Sequence, residues 1–340
     1  MQNERIGLLL FLLSLAILKS ENLHFSLRCK GGFMQEKDIV SMEYFEDPAR
    51  FADLLNGFLF RGKQIIKPEE VKEANRSVSG RVFAEGEVKA YQLFRDIFRR
   101  VSCRMHILLV AIENQSGIHY AMPVRVLNAE GAAYAGQVKT REKFHREQKD
   151  LTGDEFVSGF ARNDKLQPFI TLVLYYGTKE WDAPKCLKDM LDLSEFPQGV
   201  AEMVQDYSLN LLEIRKYPYL ERFQTDIRYV FGFLQNAEDK EKLIAYMREN
   251  SETFSKLDEE AYDLIAVMSK TSQLKQLKKI CRNEGGTDMC KAIDDMIEDG
   301  KKEGIALTKQ VFKMNSEGKN PQEIAEQCLI SLEEVQLILE

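Results

Sequence analysis

Residues 104–115, "RMHILLVAIENQ", decide how the rest of the chain is read. Six consecutive apolar residues, Ile107 to Ile112, end abruptly in Glu-Asn-Gln. A short apolar run bounded in this way predicts a strand buried on both faces. Side chains alternate across a strand, so Glu113 and Gln115 share one face. Burying a carboxylate and an amide there is costly unless something satisfies them.

The preceding β-like run, "YQLFRDIFRRV" (91–101), holds Asp96, seventeen residues before Glu113. A hairpin between the two runs lets Asp96 approach Glu113. Two carboxylates at ~4 Å, with an effective dielectric near 20, repel by roughly 4 kcal/mol. Such a pair needs a shared proton or a cation. Mg²⁺ (or Mn²⁺), taking oxygens from Asp96, Glu113 and the backbone carbonyl of Asn114, would satisfy it. That ion could also activate water and neutralise a phosphate. The pattern D-x(n)-E-x-Q is loose, and on spacing alone a surface hairpin with ordinary polar residues is the commoner explanation, with the metal site as its alternative.

Working outward, "DPARFADLLNGFLF" (47–60) predicts the first helix, with Asp47 as cap, Pro48 in the first turn and Phe51, Leu54, Leu55 and Phe58 as its apolar face. "KQIIKPEEV" (63–71) predicts a short strand and a turn, and "EANRSVSGRVFAEGEVKA" (73–90) reads as a polar connection. A helix is expected over roughly Pro123–Lys149. "LQPFITLVLYYG" (166–177) predicts another buried strand, bounded by Pro168 and Gly177. Beyond Trp181 apolar residues recur at helical spacing. The chain thus divides near residue 185 into an α/β module (34–185) and a helical one (186–304), with a small helical tail (305–340).

The composition is globular: 340 residues, 44% hydrophobic and 30% charged. A formal charge of −7 argues against an extensive nucleic-acid-coating surface, which needs many phosphate contacts, but permits a local basic groove. Six scattered cysteines without a C-x-x-C pair read as free thiols in a reducing cytosol. Glycine-rich phosphate loops, G-x-S-x-G and H-E-x-x-H are absent from the sequence.

Residues 1–33 stand apart. Their apolar run, "IGLLLFLLSLAIL" (6–18), is too short to span a bilayer, and it lacks the basic start and small-x-small site of a secretory signal. "KGGFM" (30–34) can be encoded by a bacterial ribosome-binding sequence followed by a start codon. The expected start is therefore Met34, with a cytoplasmic protein and no membrane partner. Such a chain carries −9, because residues 1–33 hold four Lys/Arg against two Glu.

"ILLVAIENQSGIHYAMPVRV" (107–126) and the run before it resemble the recombination-promoting nuclease family, also labelled YhgA-like transposase, of the PD-(D/E)XK superfamily. "RFADLLNGFLFRGKQIIKPEE", "YAGQVK", "DEFVSGFARNDKLQPFITLVLYYG", "WDAPKCLKDMLDL" and "MCKAIDDMIEDGKKEG" extend the resemblance over most of 34–304. It implies an α/β fold, a mixed central sheet flanked by helices and followed by an all-helical region. It also implies a metal-dependent DNA endonuclease linked to recombination, with Asp96 and Glu113 as metal-binding carboxylates. Gln115 stands where many superfamily members carry lysine, so water activation falls more heavily on the metal. Asp53 is a candidate outer carboxylate contacting metal-bound water, and Gln137 a candidate facing the site from the following helix. Asn128, Glu130 and Gly131 depart from the regular helix expected after Arg125.

Arg95, Arg99, Arg100, Arg104, Lys139 and Arg141 are candidates to track a DNA backbone. For the second run, "KTREKFHREQK", a solvated mixed-charge face is the competing reading. "NPQEIAEQCLISLEEVQLILE" (320–340) has helix-turn-helix spacing, but its second helix carries Glu333, Glu334 and Glu340 and no base, so a packing or protein-contact unit is expected. Self-association through the helical region is a further expectation. The rival reading of the whole is a nuclease-like module without catalysis, acting through protein or DNA contacts.

Overall fold

The computed structural model describes residues 36–73, 77–84, 87–94, 97–103 and 106–339. The leader and Met34 lie outside the described residues, as do Arg95, Asp96 and Arg104.

Helix α1 (Glu36–Tyr44) precedes α2 (Pro48–Leu54), whose cap is the predicted Asp47, accepting from the Ala49 N–H at 2.8 Å. Strands β1 (Val71–Glu73), β4 (Ile97–Cys103), β5 (His106–Gln115), β6 (Phe169–Tyr175) and β7 (Asn210–Glu213) form one sheet in the order β1-β4-β5-β6-β7. The first two pairings are antiparallel and the last two parallel, so the sheet is mixed. A separate antiparallel ribbon, β2 (Ser77–Ala84) with β3 (Glu87–Phe94), occupies the stretch read as a polar connection. It also takes in the first four residues of the run 91–101, which was read as one β-like stretch and here serves two strands, β3 and β4. The fold is α/β, with helices flanking the sheet and a helical C-terminal region.

Helix α3 (Met122–Gln148) makes the crossover from β5 to β6. It runs unbroken through Asn128, Glu130 and Gly131, where irregularity was expected. Packing explains the difference: Met122, Val126, Ala129 and Ala133 form one buried stripe against the sheet, which outweighs local helix preference. Pro123 sits in the first turn, where its missing N–H costs nothing. Lys149 closes the helix in a left-handed conformation, and the short α4 (Gly153–Ser158) follows.

The two faces of the sheet bury different things. Ala111 joins Phe98, Phe169 and Ala133 under α3. Val110 and Ile112 face the main core, which runs from Val40 to Ala292 without a break. That core includes α5 (Ile227–Asn236), α6 (Lys240–Glu249) and α7 (Glu259–Met268). The division expected near residue 185 therefore does not separate sheet from helices, because β7 completes the sheet beyond it and one core serves both.

Arg50 ties these parts together. Nearly buried, it donates to Asp226 at 2.9 Å and to Asp258, and lies 4.3 Å over the Tyr44 ring. Asp258 in turn caps α7 through the Ala261 N–H. Helix α8 (Met289–Ser316) starts on the main core and ends in a small cluster of Val311, Ile324, Ala325 and Val335 with α9 (Pro321–Cys328) and α10 (Leu332–Leu339). Among the described residues no helix is long and apolar enough to cross a membrane, and the five described cysteines are free.

Candidate functional site

Glu113 is 3% exposed at the carboxyl end of β5, on the face covered by α3. Its Oε2 accepts from Arg125 Nη2 at 3.0 Å. Arg125 lies in the first turn of α3, so the turn after β5 brings it back over the strand that carries its partner. The pair is asymmetric, the carboxylate enclosed and the guanidinium side chain 47% exposed.

Asn114 faces the opposite side, where its Oδ1 accepts from Ser41 of α1 at 2.7 Å. Its backbone carbonyl is placed by the sheet pattern. Leu109 donates to Pro168 and Tyr176 donates to the Gln115 carbonyl, which commits the odd-numbered residues of β5 to β6. The Asn114 carbonyl therefore points to the β4 side of the strand. On that side the register pairs Ile97 with Ile112, the residues next in sequence to Asp96 and Glu113. Gln115 ends the strand, half-buried on the Glu113 face.

Several expected site residues are engaged elsewhere. Asp53 is buried, and its carboxylate accepts from the Gln224 and Thr225 N–H groups and the Thr225 hydroxyl at 2.7–2.9 Å. It holds the entry to α5 rather than a water at Glu113. Gln137 clamps the backbone of Gln167 in both directions, at 2.7 and 3.1 Å. Gln167 precedes β6, so Gln137 serves the amino end of the parallel pair while Glu113 sits at the carboxyl end. Arg99 is 3% exposed on the main-core face, its guanidinium 6.0 Å from the Phe51 ring centre, and is not a surface contact. Arg100, Lys139 and Arg141 are exposed.

Two residues of this face were missed by sequence reasoning. Arg125 could have been signalled by its position, a base in the first turn of the helix that follows the strand. Glu130, one turn further along α3, is buried, and its Oε1 has no hydrogen-bond partner among the described residues.

Among the described residues no group of three His, Cys, Asp or Glu side chains is placed to hold a metal. The oxygens at the end of β5 do match a hard divalent ion in kind. Mg²⁺ is bound through one or two carboxylates and keeps several waters, so it does not require a full protein cage.

The family model described as "Putative transposase, YhgA-like" matches residues 104–264. The span takes in β5, α3, β6, β7 and the helices to α7, with Glu113, Gln115 and Arg125, and it begins after Asp96. No curated protein and no solved structure matches the chain. The family description names a putative transposase.

Proposed function

We propose, from the family match over residues 104–264, that this chain is a metal-dependent DNA endonuclease of the PD-(D/E)XK type. The observation that carries the reading is the Glu113 carboxylate, buried at the carboxyl end of β5 with a half-exposed arginine against it. A structural ion pair gains little from that arrangement, whereas a cation site needs an enclosed carboxylate that an incoming ion can reach.

Asp96, Glu113 and the Asn114 carbonyl would hold Mg²⁺, with Mn²⁺ as the natural substitute. When bound, such an ion lowers the pKa of water and offsets charge on the phosphate. Gln115, on the same face as Glu113, orients water by hydrogen bonding, and being neutral it accepts no proton. Arg125 neutralises Glu113 until a cation arrives and is exposed enough to turn to a phosphate. Arg100, Lys139 and Arg141 supply backbone contacts to DNA without reading its sequence.

A second reading, a nuclease-like binding module, is favoured by Arg125 already engaging Glu113 and by the neutral Gln115. Plasmid nicking by the purified chain, in Mg²⁺ or in EDTA and beside Glu113→Ala, decides between them. Nicking that needs Mg²⁺ and disappears in the variant is the expected result. A folded protein that binds DNA yet leaves it intact in both Mg²⁺ and Mn²⁺ would falsify the endonuclease.

A further inference from the structure

The three parallel strands β5, β6 and β7 all open on one crevice. In open α/β sheets this is where ligands bind, outside the carboxyl ends of the strands. Here it is a cavity of about 700 Å³, reached by Ser116 after β5, Gly177 after β6 and Arg215 after β7. That volume suits a small ligand.

Its charges are unevenly matched. Lys37, Lys179 and Lys270 line the cavity, and none has a carboxylate within 4 Å among the described residues. Three acids line it as well, Glu180, Asp182 and Glu238; Lys216 lies 3.0 Å from Glu180, and Arg215 lies 3.7 Å from Glu238. Arg215 itself donates to the carbonyls of Tyr176 at 2.9 Å, Met268 at 3.3 Å and Leu234, which caps the carboxyl ends of α5 and α7. Those three bonds use three of its five N–H donors, and Nη1 also lies near Glu238. Burial draws its pKa below the ordinary value, so a further anion beside it would be welcome.

Lys270 adds an independent observation. Helix α7 ends in a Schellman motif, with Thr271 donating to Ala266 and Lys270 to Val267. The left-handed position of that motif, φ +60°, is normally glycine, and here it holds lysine. A non-glycine residue there costs of order 1 kcal/mol. The Lys270 side chain lines the cavity.

We propose that this cavity binds a phosphate monoester, the terminal phosphate of a nucleotide or of a nucleic-acid strand, held by Lys37, Lys179, Lys270 and Arg215. A monoester carries close to two negative charges at neutral pH, against one for a diester, and so answers the lysine excess. Glu113 does not line the cavity, and the binding proposed here does not depend on cleavage.

The test is fluorescence anisotropy with the full chain in EDTA, using a short single strand bearing a 5′-phosphate and the same strand with a 5′-hydroxyl. The phosphorylated strand is expected to bind about tenfold tighter, the worth of one charged hydrogen bond. Lys179→Ala and Lys270→Gly are each expected to erase that preference. Glycine suits the backbone at 270, so the second variant should melt no lower than the parent. Adenosine monophosphate that displaces the phosphorylated strand assigns the site to free nucleotides. Discrimination that persists against excess monophosphate assigns it to strand ends. Equal binding of the two strands by the parent, or an equal loss of both in Lys270→Gly, overturns the proposal.

Discussion

Asp53 and Glu113 are buried to the same degree, at 4% and 3% exposure, yet their surroundings set them apart. Asp53 sits among fixed donors, two backbone N–H groups and a hydroxyl that cannot leave without opening the segment before α5. Glu113 faces a guanidinium on a long side chain that is half in water. A carboxylate saturated by backbone belongs to the architecture. One paired with a mobile cation keeps the capacity to exchange that cation for another. Burial alone would have classed the two together.

The contrast is broken most directly by removing each charge in turn. In Glu113→Gln, cleavage is expected to fall on the order of a thousandfold, about 4 kcal/mol in the barrier. Folding stability in urea should stay within about 1 kcal/mol of the parent, because exposed Arg125 can be solvated when its partner is lost. Asp53→Ala should do the opposite, costing roughly 3 kcal/mol of stability as buried donors lose their acceptor. At a temperature where that variant remains folded, the nicking rate should be near normal. An Asp53→Ala protein that is stable but inactive would return Asp53 to the site.

A third acidic cluster differs in that its cation titrates. At the far end of α3, His145 lies between Asp150, 2.9 Å from Nδ1, and Asp164, 2.8 Å from Nε2. Its pKa is raised, first by the hydrogen bond with Asp150 and then by that with Asp164. A folded-state value above the unfolded one contributes stability that is complete below about pH 6.5 and fades as pH rises through the folded value. The stability gap between the parent and His145→Gln should therefore be widest below about pH 6.5 and shrink as pH rises above it. Hydrogen exchange across 150–164 should track the same titration, and a gap that is flat with pH would mean that the imidazole packs without being charged.

How much of this was legible follows from where each signal resides. The strand at 106–115 announces itself through a long apolar run with an abrupt end. The helix at 122–148 was expected in extent but not in its regularity through Asn128, Glu130 and Gly131. Of the β2–β3 ribbon only residues 91–94 were read as β-like, because 73–90 is polar, with glycines at 80 and 86, and carries no sustained apolar alternation. Strand β7 has four residues and is held by pairing with β6, a contact that local sequence does not encode. Glu113 was legible as an acid ending an apolar run. The engagement of Gln137 with Gln167, thirty residues away, and of Asp53 with Thr225 was not, since side chain to backbone bonds across the chain leave no periodic trace. Arg99 shows the same limit: the strand alternates, and only the partner layers decide which face carries a buried base.

The smallest expected effect gives the finest test of the comparison. If Arg125 holds the place of a cation at Glu113, the two compete for one carboxylate. Arg125→Gln should cost less than about 1 kcal/mol of stability, since a half-exposed pair is well screened. The Mg²⁺ concentration for half-maximal nicking should nonetheless fall by about fivefold, the equivalent of roughly 1 kcal/mol no longer spent on displacing the guanidinium. Lowering the salt should widen the difference, because weaker screening strengthens the arginine's hold. A Mg²⁺ requirement identical in parent and variant would mean that Arg125 and the metal never contend, and Glu113 would then be as settled a part of the architecture as Asp53.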